Sequence, residues 1–222
     1  PPPLQRRRPH GQLRQHAARH RRQDLLTPPP AATFGQRLAR ACLQGLGWQL
    51  ACPARLPATA VIIGYPHTSN WDFLFGMLGK FALGLDVRWV GKDSLFCWPV
   101  AGLLKAWGGI PVNRRQPEGF VDQMAARFAD SPALYLAIAP EGTRSLTPGW
   151  KTGFYRIARG AGVPLVLAAI DYGRRQVGLI DSLDLSGDAE ADLAAIAQRY
   201  AGRRGLHRER AAPVRFLNSP EP

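Results

Sequence analysis

Three short runs of this 222-residue chain are apolar at every consecutive position: Ala60–Ile63 (AVII), Ala133–Ala139 (ALYLAIA) and Pro164–Ile170 (PLVLAAI). A strand that is apolar on both faces must be covered on both faces, and that is the condition of a parallel sheet packed between helices. The segments around these runs repeat at helical spacing. Phe34, Leu38, Cys42 and Leu46 recur every four residues, as do Phe120, Met124 and Phe128. Asp72–Leu85, Phe154–Ala161 and Asp188–Tyr200 also read as helices, the last with Leu193, Ile196 and Tyr200 along one stripe. Val87–Val90 and Ile110–Asn113 add two further extended pieces. The expectation is a single α/β domain, a largely parallel β-sheet flanked by helices.

The net charge of +13 is concentrated at the two ends. Residues 1–30 carry seven Arg against Asp24, and residues 199–215 carry six Arg against Glu209. What remains is nearly neutral, so a nucleic-acid-binding module would have to use the ends alone. Residues 1–32 combine Pro clusters with Arg and Gln and read as a disordered tail, without the apolar run of a secretory leader. Residues 33–201 read as the folded domain, and 202–222 as a basic, disordered tail suited to anionic headgroups. Cys42, Cys52 and Cys97 are scattered, which predicts neither a disulfide framework nor a zinc site. No apolar stretch reaches the ~18 residues of a membrane span. The helix beginning at Phe34 has two readings, a cap on the core or an element lying on a membrane surface.

His67 is the sole histidine within 33–201, four residues beyond the end of the first apolar run. The carboxyl ends of parallel strands are where α/β sheets place ligands. Asp72 is five positions on, about 140° around a continuous helix, so the two meet only if the chain turns between them. Pro66 disfavours helix before His67, and Ser69 with Asp72 three residues later resembles a capping pair, which places the helix start between base and acid. A carboxylate at one imidazole nitrogen would let the other take a proton from a hydroxyl supplied by a substrate. A second polar cluster, Pro140-Glu141-Gly142-Thr143-Arg144-Ser145, follows ALYLAIA directly. A third, Gly109-Ile110-Pro111-Val112-Asn113-Arg114, ends another extended piece in a cation. Arg is the side chain suited to bidentate phosphate recognition, so Arg114 and Arg144 suggest a phosphorylated hydroxyl compound. Trp71, Trp89, Trp98 and Trp107 read as core or groove lining.

Taken in this order, H-x4-D (His67, Asp72), G-I-P-V-N-R (Gly109–Arg114), P-E-G-T-R-S (Pro140–Ser145) and V-P-L-V (Val163–Val166) resemble the four motifs of the glycerolipid acyltransferases. This is the superfamily of lysophosphatidic acid and glycerol-3-phosphate acyltransferases. PHTSNWDF, KDSLF, WKTGFYRIA and Asp171-Tyr172 are similar to its short bacterial members. The resemblance implies a glycerol-3-phosphate acyltransferase-like fold with His67 as general base, oriented by Asp72. It implies that Arg114, Glu141, Gly142, Thr143 and Arg144 bind the acceptor. The implied reaction moves an acyl group from acyl-CoA or acyl carrier protein to the hydroxyl of a lyso-lipid, foremost lysophosphatidic acid, in phospholipid biosynthesis. Another lyso-lipid or an amino-acid lipid is the alternative acceptor. No cofactor or metal is implied, and the expected place is the cytoplasmic face of the bacterial inner membrane, held peripherally.

Overall fold

The computed structural model describes residues 32–113, 119–131 and 133–217. The tail expected over 1–32, apart from Ala32, lies outside the described residues, as do Arg114 and 218–222. In chain order the elements are α1 (Phe34–Gly45), β1 (Gln49–Ala51), β2 (Ala60–Gly64), α2 (Trp71–Leu83), β3 (Val87–Lys92), α3 (Ala101–Ala106) and β4 (Gly109–Val112). They continue with α4 (Phe120–Ala129), β5 (Tyr135–Ile138), α5 (Gly153–Ala161), β6 (Leu165–Asp171), β7 (Gln176–Leu183) and α6 (Ala189–Tyr200). The strands form one sheet in the order β1-β7-β6-β2-β5-β3-β4. Every pairing is parallel except β6 with β7. The single α/β domain with a largely parallel sheet is therefore what the chain forms.

The three doubly apolar runs become β2, β5 and β6, the centre of the sheet, as burial on both faces requires. Val61, Ile63, Leu136, Leu165 and Leu167 pack beneath Met124, Phe128, Phe154, Ile157, Leu193 and Ile196 of α4, α5 and α6. On the opposite face, Ala60, Ile62, Val166 and Leu179 form a second layer. Beside that layer, α1 and α2 join through Ala39, Leu43, Trp48 and Ala82. Two strands lie beyond the five expected. β1 is three residues long, and β7 (QVGLIDSL) is broken by Gly178 and polar at Asp181 and Ser182, so neither carries an apolar run.

Two readings change. The Phe34–Leu38–Leu46 stripe of α1 faces outward, with Phe34 79% exposed, while the inward face is Ala39 and Leu43. A short, smooth face is what fits against the equally tight Ala82 of α2. The segment expected to be a disordered tail from 202 is built into the domain as far as Leu217. Ala212 and Phe216 join the main core, and Trp150 bridges to Phe216 in parallel. Its apolar residues Ala212, Val214 and Phe216 are too few to show as a periodic pattern among the arginines. Among the described residues no helix is long and apolar enough to cross a membrane.

The orientation of α1 has a direct test. Leu43→Ala should destabilise the domain by about 2–5 kcal/mol, since Leu43 is almost fully buried. Leu38→Ala should change stability by no more than about 0.5 kcal/mol. Urea unfolding of both variants measures the difference, and equal effects would mean that the stripe packs inward.

Candidate active site

The register of the central strands assembles the site. Ile63 of β2 pairs with Ile138 of β5, and Gly64 pairs with Ala168 of β6. All three strands run in the same direction and end together, so the residues a few positions on must share one edge. Those residues are His67, Glu141 and Tyr172. The His67 backbone N–H donates to Glu141 Oε2 at 2.7 Å, and the Tyr172 hydroxyl donates to Asp72 Oδ1 at 2.8 Å.

The chain does turn between His67 and Asp72, although Asn70 and not Ser69 is the residue that precedes the helix. α2 starts at Trp71, and Asp72 Oδ2 reaches back to accept the N–H groups of Thr68 (2.7 Å) and Ser69 (2.8 Å). Ser69 Oγ accepts the Trp71 N–H at 3.2 Å, completing the exchange. His67 Nδ1 then lies 3.4 Å from Asp72 Oδ2. That placement leaves Nε2 as the ring nitrogen able to take a proton, with Asp72 stabilising the imidazolium that would result. The His67 side chain is partly open while Asp72 is buried.

Burial pushes the Asp72 carboxyl upward, but hydrogen bonds from the His67 ring, the Ser69 N–H and the Tyr172 hydroxyl outweigh it, and the group is held below its ordinary value. Burial, followed by its hydrogen bond to the Asp72 carboxylate, drives the Tyr172 hydroxyl well above its ordinary value, so it stays a donor. Tyr172 was noted in the sequence only as part of a family-like stretch. Its role depends on β6 ending beside β2, a pairing that no local signal encodes.

Glu141 is placed differently from the expectation that it binds the acceptor. Its second oxygen, Oε1, accepts the Ala212 N–H at 2.9 Å, and the residue is 1% exposed. Both carboxylate oxygens are thus engaged by backbone, and burial raises the carboxyl above its ordinary value despite those bonds. Gly142, Thr143 and Arg144 do line the cavity beside His67. Gly142 turns there at φ +67°, a conformation that favours glycine, and a Cβ would sit 3.0 Å from the Lys151 stem. Thr143 Oγ1 accepts the Ser145 N–H at 3.3 Å. Arg144 Nε is buried and finds no hydrogen-bond partner among the described residues. A buried donor in that state carries a desolvation cost that an anionic oxygen would offset.

The cavity measures about 380 Å³ and extends from His67 between α2 and the sheet. Its α2 wall is built by Asp72, Gly76, Gly79 and Leu83, which share one face of the helix. The two glycines differ: a Cβ at Gly76 would still be 3.9 Å from Ile170 Cδ1, whereas one at Gly79 would fall 3.2 Å from Val177 Cγ2, so Gly79 lets the helix come close to β7. Met77, Leu85, Val87 and Leu179 add apolar lining. Trp89 lines the cavity as expected, whereas Trp71 and Trp98 are exposed, Trp98 to 90%. Burial lowers the ammonium pKa of Lys80, which also lines the cavity. The arrangement offers a base on a polar rim, a cation donor for an anion, and a greasy slot behind them.

Tyr172→Phe tests the carboxylate network. Because Asp72 titrates lower in the folded chain than the ~3.9 of an unfolded Asp, its stabilisation is full above that value and is lost as pH falls through the lower, folded value. Removing one donor should cost about 2 kcal/mol at pH 7. The difference between variant and parent should shrink below about pH 4. Urea midpoints measured from pH 7 to pH 3 give the answer, and a pH-independent difference would place the effect in packing instead.

Comparison with known proteins agrees with this geometry. The chain shares its fold with the crystal structure of the 1-acyl-sn-glycerophosphate (LPA) acyltransferase, PlsC, from Thermotoga maritima. The TM-score is 0.52 at 14% identity, over 83% of this chain and 84% of that one. A search of curated proteins found no match. The family model for Acyltransferase matches residues 52–171, more than half of the chain, and takes in the His67–Asp72 turn and the Glu141–Arg144 loop together. By that match, the chain belongs to the acyltransferase family.

Proposed function

We propose that this acyltransferase moves a fatty acyl group from a thioester, acyl-CoA or acyl carrier protein, to the free hydroxyl of a lyso-lipid, with lysophosphatidic acid as the foremost acceptor and phospholipid biosynthesis as the setting. The observation that carries the reading is the position of His67 and Asp72 at the mouth of an apolar cavity whose rim holds the unpaired donor of Arg144. The slot suits an acyl chain, and Arg144 suits the phosphate of the acceptor. By the family motif Arg114 shares that task, although it lies outside the described residues.

In the proposed reaction His67 Nε2 takes the acceptor hydroxyl proton as its oxygen attacks the thioester carbonyl. Asp72 stabilises the imidazolium. Collapse of the tetrahedral intermediate breaks the C–S bond, and the leaving thiolate recovers the proton from His67, leaving the new ester and a free thiol. All four exchanged parts are accounted for without an acyl-enzyme or a cofactor. Glu141 serves the site from behind, as the anchor of the His67 backbone.

His67→Ala should lower kcat by about 10²–10⁴-fold, with the circular dichroism spectrum unchanged. The assay is thiol release from acyl-CoA or acyl carrier protein in the presence of lysophosphatidic acid, with lipid mass spectrometry of the product. An alanine variant that turns over like the parent would remove the base assignment. A parent inactive with every lyso-lipid and both donors would remove the substrate assignment.

The place of work is proposed to be the cytoplasmic face of the bacterial inner membrane, with peripheral attachment. Support comes from the outward Phe34, Leu38 and Leu46 of α1 and from the exposed Trp98. Nearby cations would add on the order of 1 kcal/mol each against anionic headgroups. The protein should float with phosphatidylglycerol vesicles at low salt and in part at high salt. Absence from the vesicles under both conditions would count against surface attachment.

A further inference from the structure

After α6 ends at Tyr200, the chain crosses back over the edge of the sheet where the site lies. The Tyr200 hydroxyl donates to the carbonyls of Ile63 in β2 and Ala168 in β6, at 2.8 and 3.1 Å. Arg204 accepts the Tyr172 N–H through its carbonyl (2.9 Å), and its own N–H donates to the buried Asp171 carboxylate (3.3 Å). Gly205 is buried directly against the His67 loop. A Cβ on it would fall 2.6 Å from Thr68 Oγ1, 2.9 Å from Thr68 Cγ2 and 3.3 Å from Pro66 Cβ, so no larger residue passes without moving that loop. Two residues later the His207 N–H donates to Thr68 Oγ1 at 3.2 Å. Ala212, fully buried, donates its N–H to Glu141 Oε1 and accepts the Tyr65 hydroxyl through its carbonyl, both at 2.9 Å.

We propose that Gly205–Ala212 is a positioning strap that holds the His67 base in place from outside the strands that carry it. His67 is flanked by two tethers, and the strap grips both. Glu141 holds the His67 N–H with one oxygen and the strap with the other. Thr68 gives its backbone N–H to Asp72 and takes the strap's N–H on its side chain. Release of the strap would leave Thr68 Oγ1 and Glu141 Oε1 each short of a partner, beside a His67 loop that meets the sheet through the Tyr65 N–H to Ala168 carbonyl bond. The segment also lies beyond the residues matched by the family model, which end at 171. For its turnover readout the strap rests on the acyltransferase reading, while its geometry stands apart from it.

The test uses the full chain and three variants. Thr68→Val keeps the shape of the side chain and removes the acceptor, Thr68→Ser keeps the acceptor, and Gly205→Ala pushes on the loop. Thiol release from acyl-CoA with lysophosphatidic acid gives kcat and KM, and amide hydrogen exchange over residues 67–69 reports the loop directly. Thr68→Val and Gly205→Ala should lose on the order of tenfold in kcat with KM within about twofold, because small misplacements of a base act on turnover. Both should exchange faster at residues 67–69, and Thr68→Ser should recover most of the turnover lost in Thr68→Val. If Gly205→Ala does not fold, the Val and Ser pair decides. Parental kcat in Thr68→Val, a loss confined to KM, or unchanged exchange at 67–69 would overturn the strap. A parent that releases no thiol with any acceptor would overturn the substrate assignment instead, and the exchange comparison would still decide whether the strap holds the loop.

Discussion

The Asp72 carboxylate is the group on which the site depends. It is buried at the start of a helix, where an ionised carboxyl is costly unless its oxygens are occupied. Two backbone N–H groups, a tyrosine hydroxyl and the His67 ring occupy them. Each kind of donor comes from a different structural cause. The N–H groups are there because the chain turns at Ser69, the tyrosine because β6 ends beside β2, and the imidazole because the loop after β2 is pinned from both sides. A carboxylate satisfied in this way keeps its charge and cannot rotate. Those are the two properties that the role proposed for Asp72, orienting a histidine and balancing its charge, requires.

Around that centre the two buried acids divide their roles. Asp72 is held low and faces the imidazole ring, whereas Glu141 is raised by burial and faces backbone. Glu141 thereby couples the loop after β2 to the C-terminal segment, a link between residues 67, 141 and 212 made by a single side chain. The acidic residue of the third motif is in this chain a structural clamp. Its neighbour Arg144, with a buried nitrogen that finds no partner among the described residues, is the group left for the proposed contact to an acceptor.

The cavity follows from the same arrangement. Gly76 and Gly79 stand on the face of α2 that carries Asp72, one and two turns further along. A Cβ at Gly79 would fall 3.2 Å from Val177 Cγ2 of β7, while Gly76 has room for a methyl group. The apolar slot runs away from His67 along this stripe, so Asp72 and the two glycines that line the cavity belong to one helical face. The outward apolar stripe of α1 and the exposed Trp98 belong to the opposite economy of the surface, where large apolar groups are left in water.

The α/β class and the central strands were legible in the sequence, because burial on both faces forces an uninterrupted apolar run, which β2, β5 and β6 possess. The capping pattern at Ser69 and Asp72 and the location of His67 at a strand end were legible for the same local reasons. Hydrophobic period alone left the face of α1 open, since Phe34, Leu38 and Leu46 are the larger residues yet Ala39 and Leu43 fit the neighbouring helix. Composition likewise hid the ordered C-terminal segment, whose backbone N–H groups at His207 and Ala212 serve the site irrespective of the arginines around them. The partners of Asp72 and Glu141 were settled by the parallel register of three strands and the return of the chain across their ends. Sequence by itself determined which residues can do the chemistry, because side-chain type and local turns are encoded within a few positions. Tertiary structure decided which of them meet, because contacts across 74, 100 or 139 positions depend on strand order and register rather than on any local pattern.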